Sequence, residues 1–183
     1  MIYGLPTSLP VNGKDYKIRS DYRAVLDVLS ALNDPDLDDT GKAQVLLQIF
    51  YEEWETIPQR DYQEAIDGFF EFLRCGEEEP KKKAPKLMDW EQDFKYIIAP
   101  VNKIAGKELR SVEYCHWWTF MSYYQEIGES TFSTIVGIRS KLAKGKKLDK
   151  SEQEWYRENK DMVDFKNKYS EQDLETLKLW GGK

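Results

Sequence analysis

The sequence predicts a mainly α fold: helical bundles preceded by a short N-terminal β-hairpin. Three observations carry that expectation. Apolar residues recur at offsets of three and four in one segment after another, which lines one face of an α-helix. Stop signals follow those segments, at Asn33-Asp34-Pro35, Pro58, Gly76, Gly106, Gly128 and Gly145. A single Asn12-Gly13 pair near the start lies between Val11 and the alternating run Lys14-Asp15-Tyr16-Lys17-Ile18. Asn-Gly tolerates the positive φ at both centres that a type I′ hairpin turn requires. A two-stranded ribbon is not stable alone, so it needs a helical surface beneath it.

The elements follow in order. Ser20 is placed to cap a first helix, whose Tyr22, Val25, Leu26, Leu29 and Leu32 fall at offsets 0, 3, 4, 7 and 10. Asp39 or Thr40 caps a second, with Leu46, Ile49, Phe50 and Trp54 on its apolar side. A third carries Tyr62, Ala65, Ile66, Phe69, Phe70 and Leu73, and Gly76 supplies its left-handed end. Residues 77–88 read as a mobile charged linker, Glu77-Glu78-Glu79 then Pro80 and Lys81-Lys82-Lys83, without apolar period. A fourth helix begins near Asp89 with Phe94, Ile97, Ile98, Val101 and Ile104. Pro100 predicts a kink or an early end there, because it removes one backbone hydrogen bond and crowds the carbonyl four residues back. Ser111 is expected to cap a ring-rich helix through Tyr114, His116, Trp117, Trp118, Phe120, Tyr123 and Tyr124. Another starts at Thr131 with Phe132, Ile135, Ile138 and Leu142. Two shorter ones follow, one with Trp155, Tyr156, Met162 and Val163, the other after Ser170 with Leu174, Leu177 and Trp180. The expected organisation is a hairpin plus three-helix region over 1–76, the linker over 77–88, and an aromatic-rich helical region over 89–183.

Composition excludes several function classes. The chain has 183 residues, enough for roughly 70% of its unfolded surface to be buried. With 27 Lys+Arg against 33 Asp+Glu the net charge is −6, the wrong sign for a protein that binds phosphate backbones, so no nucleic-acid partner is expected. Residues 1–10 have neither a cationic nor an apolar stretch of the kind a secretory signal carries, and no 18-residue apolar window exists. The expected place is the cytoplasm, with no membrane partner. Cys75 and Cys115 sit in apolar helical patterns and read as structural thiols.

The search for chemistry returns little. His116 is the one histidine and no Cys-x-x-Cys occurs, so no transition-metal site is expected. Asp34, Asp36, Asp38 and Asp39 lack the glycine and terminal glutamate of a calcium loop and read as a solvated acidic turn with a helix cap. Cys115 and His116, adjacent on a helix, diverge by about 100° and cannot pair as nucleophile and base. No phosphate-binding glycine loop or nucleophile elbow is present, so neither catalytic residues nor a cofactor are expected. The exceptional feature is Cys115-His116-Trp117-Trp118-Thr119-Phe120. Two consecutive Trp widen the apolar arc of one helix beyond a single face. Such an arc is either the centre of a core or a surface offered to a partner, since Trp and Tyr concentrate at binding hot spots. The candidate partner-binding residues are His116, Trp117, Trp118, Phe120, Tyr123 and Tyr124.

At this motif the sequence resembles a family of tailed-bacteriophage tail assembly chaperones encoded beside the tape measure gene. The resemblance rests on Asp89-Trp90-Glu91-Gln92-Asp93-Phe94, Tyr96-Ile97-Ile98, the Gly106 to Leu109 turn, His116-Trp117-Trp118-x-Phe120, and Phe132-x-x-Ile135-x-x-Ile138-Arg139. Asp21-Tyr22-Arg23 and the segment around Phe69-Phe70 match more loosely. Cys115 and Pro100 depart from the pattern. The resemblance implies a non-enzymatic protein of the host bacterial cytoplasm. It would bind the tape measure protein, with the tail tube protein as a further partner, and be absent from the mature virion. A homo-oligomer is compatible with that role. Two other classes stay open on the residues alone. One is a virion structural protein of the tail completion or connector kind. The other is a small phage enzyme or host-takeover factor, whose mark would be a deep polar pocket around His116.

Overall fold

A computed structural model describes residues 4–78, 81 and 84–166. These fall into two compact units: residues 4–78 together with His116–Trp118, and residues 81, 84–115 and 119–166. The fold is mainly α with an N-terminal hairpin, as the periodicity predicts.

In the first unit, strands β1 (Ser8–Val11) and β2 (Lys14–Lys17) pair antiparallel, with Val11 opposite Lys14 across the turn. Asn12 and Gly13 have φ of 47° and 76°, the two left-handed positions of the expected turn. Tyr16 and Val11 point into the core while their neighbours face water. Helices α1 (Tyr22–Leu32), α2 (Asp39–Phe50) and α3 (Tyr62–Leu73) follow, with single 3₁₀ turns at Trp54–Thr56 and Gln59–Asp61. The caps lie one or two positions from those expected. Asp21, not Ser20, caps α1 by accepting from the Arg23 N–H. Asp38, not Asp39 or Thr40, caps α2 by accepting from Gly41. Ser20 is buried instead. The helical surface under the ribbon is α3, whose Glu64 accepts from the Asn12 N–H at 2.9 Å. Tyr51 is buried and donates its hydroxyl to the Ala65 carbonyl at 2.8 Å. The core consists of Tyr22, Val25 and Val28 of α1, Leu46, Leu47 and Phe50 of α2, and Ala65, Phe69 and Phe72 of α3.

The second unit is built on α4 (Trp90–Ala105), α6 (Thr131–Ala143), α7 (Lys150–Glu158) and α8 (Lys160–Val163). Asp89 caps α4 through the Glu91 and Gln92 amides, and Gly106 ends it at φ 67°. The early end expected at Pro100 does not occur. Ile97, Ile98 and Val101 bury on both sides of the proline, and that packing carries the helix five residues further. Ser130 caps α6 and Asp149 caps α7, each within a reciprocal capping box. Trp155 and Tyr156 lie in α7 but Met162 and Val163 in α8, because the chain breaks at Asn159. The expected helix after Ser170, with Leu174, Leu177 and Trp180, lies outside the described residues.

The ring-rich helix departs most from expectation. Ser111 ends a 3₁₀ turn (Leu109–Ser111) and caps nothing. Helix α5 runs only from Trp117 to Gln125, its first two residues in the first unit and the rest in the second. Bends at Val112 and Glu113 precede it, and His116 forms an isolated antiparallel bridge with Asp21. Cys115 and His116 therefore precede the helix.

Candidate functional site

His116 is fixed by backbone on both ring nitrogens. Nδ1 accepts from the Trp118 N–H at 3.0 Å, standing in for a capping side chain at the start of α5. With Nδ1 an acceptor, the proton is on Nε2, which donates to the Pro6 carbonyl at 3.0 Å. Burial lowers the imidazole pKa, and the Pro6 carbonyl offsets only part of that. The Trp117 N–H donates to the Ser20 carbonyl at 2.7 Å, so the motif is pinned to the start of α1.

The two tryptophans then close the end of α3. The final carbonyls of a helix lack intrahelical partners. Trp117 Nε1 donates to the Leu73 carbonyl at 3.0 Å, and Trp118 Nε1 donates to the Phe72 carbonyl at 2.9 Å. Trp117 is 1% exposed and belongs to the core; Trp118 is half-buried. The Trp118 ring lies 5.9 Å from that of Phe72 and 6.0 Å, edge-on, from the His116 ring.

Beside Trp118 is a groove of about 200 Å³, lined by Pro6, Leu9, Pro10, Gly68, Glu71, Phe72, Gly76 and Trp118. Two glycines keep it open. A Cβ on Gly68 would meet Tyr51 Oη at 3.4 Å and Leu9 Cδ1 at 3.7 Å, and one on Gly76 would meet the Trp118 ring at 3.7 Å. Gly76 has φ 78°, the left-handed conformation expected at the end of α3, and Cys75 before it shares that conformation at 58°. Glu71 is the only charged residue of the lining.

The other predicted site residues belong to the second unit. Phe120 is fully buried, its ring 6.1 Å from Trp90. Tyr124 is half-buried between Trp90 at 5.1 Å and Phe132 at 5.8 Å, its phenol pKa raised by burial and then by the Asp93 charge. Tyr123 is half-buried, while Tyr114 is 53% exposed. Of the six, the structure therefore joins His116, Trp117 and Trp118 into one assembly, and Phe120 and Tyr124 into a separate ring cluster.

One constellation was not singled out from sequence. Asp93 and Arg139 are 0% and 4% exposed and form a two-pronged ion pair, with Arg139 Nη2 to Asp93 Oδ1 at 3.1 Å. The same guanidinium donates to the carbonyls of Val163, Leu87 and Met162 at 2.6, 3.1 and 3.0 Å, and lies 4.1 Å from the Phe165 ring. Gln92 continues the clamp, donating to the Asp164 carbonyl and accepting from the Lys166 N–H. A signal existed. Asp93 precedes Ile97 and Val101 by four and eight residues, and Arg139 follows Phe132 by seven, so both stand on apolar faces.

The remaining chemistry is modest. The Cys75 thiol is pushed up to about 11 by burial and then by Glu77, which keeps it protonated at neutral pH, and Cys115 is buried. Among the described residues no group of three His, Cys, Asp or Glu is placed to hold a metal, and no helix is long and apolar enough to cross a membrane. Asp34 and Asp38 accept from the amides of Asp36 and Gly41.

No curated protein and no solved structure matches this chain. A family model described as Bacteriophage Gp15 protein matches residues 1–165 of the 183. That span takes in the hairpin, the Trp-capped end of α3, the groove and the Asp93–Arg139 clamp, and on it the chain belongs to the Bacteriophage Gp15 protein family and is a bacteriophage protein.

Proposed function

We propose that this phage protein is a non-enzymatic tail assembly chaperone. It binds the tape measure protein in the host cytoplasm and keeps it soluble until tail tube subunits assemble around it. One observation carries the reading: an apolar groove walled by a half-buried Trp, on a base rigidly fixed by helix capping. Rigid aromatic walls suit recognition of a partner, because little side-chain freedom is lost on binding. A non-enzymatic role is supported by the commitments of the obvious chemical groups. His116 spends both nitrogens on backbone, and the Cys75 thiol is protonated at neutral pH. The family match supports a phage role, and the resemblance at His116-Trp117-Trp118 supports the tail chaperone in particular. A tape measure chain is long, helix-rich and partly apolar, so it aggregates when left bare. An acidic protein of net charge −6 that covers apolar stretches would keep the complex in solution.

The test is co-expression with the tape measure protein of the same phage. The reading expects more soluble tape measure protein and a complex that survives size exclusion. Unchanged solubility together with separate elution overturns it.

A further inference from the structure

We propose that the groove beside Trp118 is the docking site for a basic amphipathic helix, one large apolar side chain filling it and a Lys or Arg one turn away pairing with Glu71. The proposal rests on the chaperone reading for its partner and assigns the chemistry of the contact. Size comes first. At about 200 Å³ the groove is smaller than the roughly 300 Å³ at which small-molecule sites begin, so it fits a side-chain anchor better than a cofactor. Its walls are pyrrolidine rings, Leu9, Phe72 and the Trp118 indole, all without charge. The indole N–H is already used on the Phe72 carbonyl, so that wall offers apolar ring carbon rather than a donor. Helix-in-groove recognition uses such anchors at helical spacing.

Charge selects the occupant. Glu71 is exposed and has no ion-pair partner among the described residues. Glu64 and Asp67 stand on the same face of α3, at helical spacing from Glu71, and Glu77 and Glu78 follow the helix. Arg74, three residues after Glu71, is the one cation at that spacing, and its Nε donates to the Glu77 carbonyl; the acidic groups outnumber it, so the face complements a cationic helix and repels an anionic one.

The test uses the full chain and two synthetic probes, an amphipathic helix of Leu and Lys and its Leu and Glu counterpart, read by fluorescence anisotropy. The wild type should prefer the Leu/Lys probe. Glu71→Lys should weaken that binding about tenfold and strengthen the Leu/Glu probe. Nonspecific attraction to the net charge would change little for one reversed site. Gly68→Leu fills the groove from its floor while raising helix propensity, so it should fold and bind neither probe. Equal binding of the Leu/Lys probe by all three proteins overturns the proposal. Capture of the tape measure protein separates the two readings. If wild type and both variants capture it equally, the groove assignment fails and the chaperone stands. If the wild type captures none but the probes follow Glu71 and Gly68, the chaperone reading fails and the groove stands.

Discussion

His116 is the only histidine, so its proton dominates the pH response of stability near neutrality. Burial lowers its pKa in the folded protein. As pH falls through about 6.5, the unfolded chain takes up a proton first, so stability is full above that value and lost below it. The slope cannot exceed about 1.4 kcal/mol per pH unit for one group. Urea midpoints should therefore fall between about pH 7.5 and about pH 5.5 for the wild type. His116→Asn keeps an acceptor for the Trp118 N–H but has no titratable group, and its profile should be flat in that window. A wild-type profile equally flat would mean that the neutral cap is not required. Arg139 poses a different problem. Asp93→Asn leaves a guanidinium buried without its counter-charge, which costs about 3–5 kcal/mol. Replacing both members of a buried pair with apolar groups is often neutral, but here Leu87, Met162 and Val163 would each lose a donor. The double variant Asp93→Leu/Arg139→Met should thus stay destabilised by several kcal/mol, at about 1–3 per orphaned carbonyl. Wild-type stability in chemical denaturation would show those carbonyls to be dispensable.

Helix α3 ends on side chains from a segment some forty residues away, and its two indoles are not equivalent. Leu73 O accepts from Trp117 Nε1, while Phe72 O accepts from Trp118 Nε1 and also from the Cys75 N–H at 2.9 Å. Trp117→Phe keeps a ring but leaves the part-buried Leu73 carbonyl short of its donor, a loss of about 1 kcal/mol beyond that of the smaller ring. Trp118→Phe leaves Phe72 O with a backbone partner and should lose clearly less in the same urea titration. Equal losses would mean that ring volume, not capping, sets the effect. This pairing was invisible to periodicity, which reports only the face a helix buries. The stripes of α3 and α4 were legible because Ala65, Phe69, Ile97 and Val101 recur at helical spacing and bury as expected. The Asn12-Gly13 turn was legible because its chemistry is local. The start of α5 was not. Ser111 offered a local cap, but the bridge from His116 to Asp21 and the bond from Trp117 to Ser20 tie these residues to the start of α1, and the helix begins only at Trp117. The candidate site was half legible. The ring cluster stood out in the sequence, yet Trp117 and Phe120 bury while Trp118 meets a groove whose other walls come from the hairpin segment at Pro6, Leu9 and Pro10 and from α3 at Phe72, both distant in the sequence.

At the scale of the whole molecule, sequence order and compact unit do not coincide, because His116–Trp118 belongs to the unit of residues 4–78. Each unit carries its own polar staple made of its own residues. In the first, Trp117 and Trp118 close α3; in the second, Arg139 of α6 joins Asp93 of α4, Leu87 before it, and Met162 and Val163 of α8. Local opening follows the cooperative unit to which a broken contact belongs. Hydrogen exchange of the intact chain should therefore localise each lesion. Arg139→Met should raise exchange in α4, α6 and α8, with α1 to α3 close to wild type. Trp117→Phe should raise exchange in α3 and the hairpin, with α6 and α8 close to wild type. Helix α5, which contributes residues to both units, should respond to both variants. Uniform loss of protection across all helices in either variant would show one cooperative unit instead.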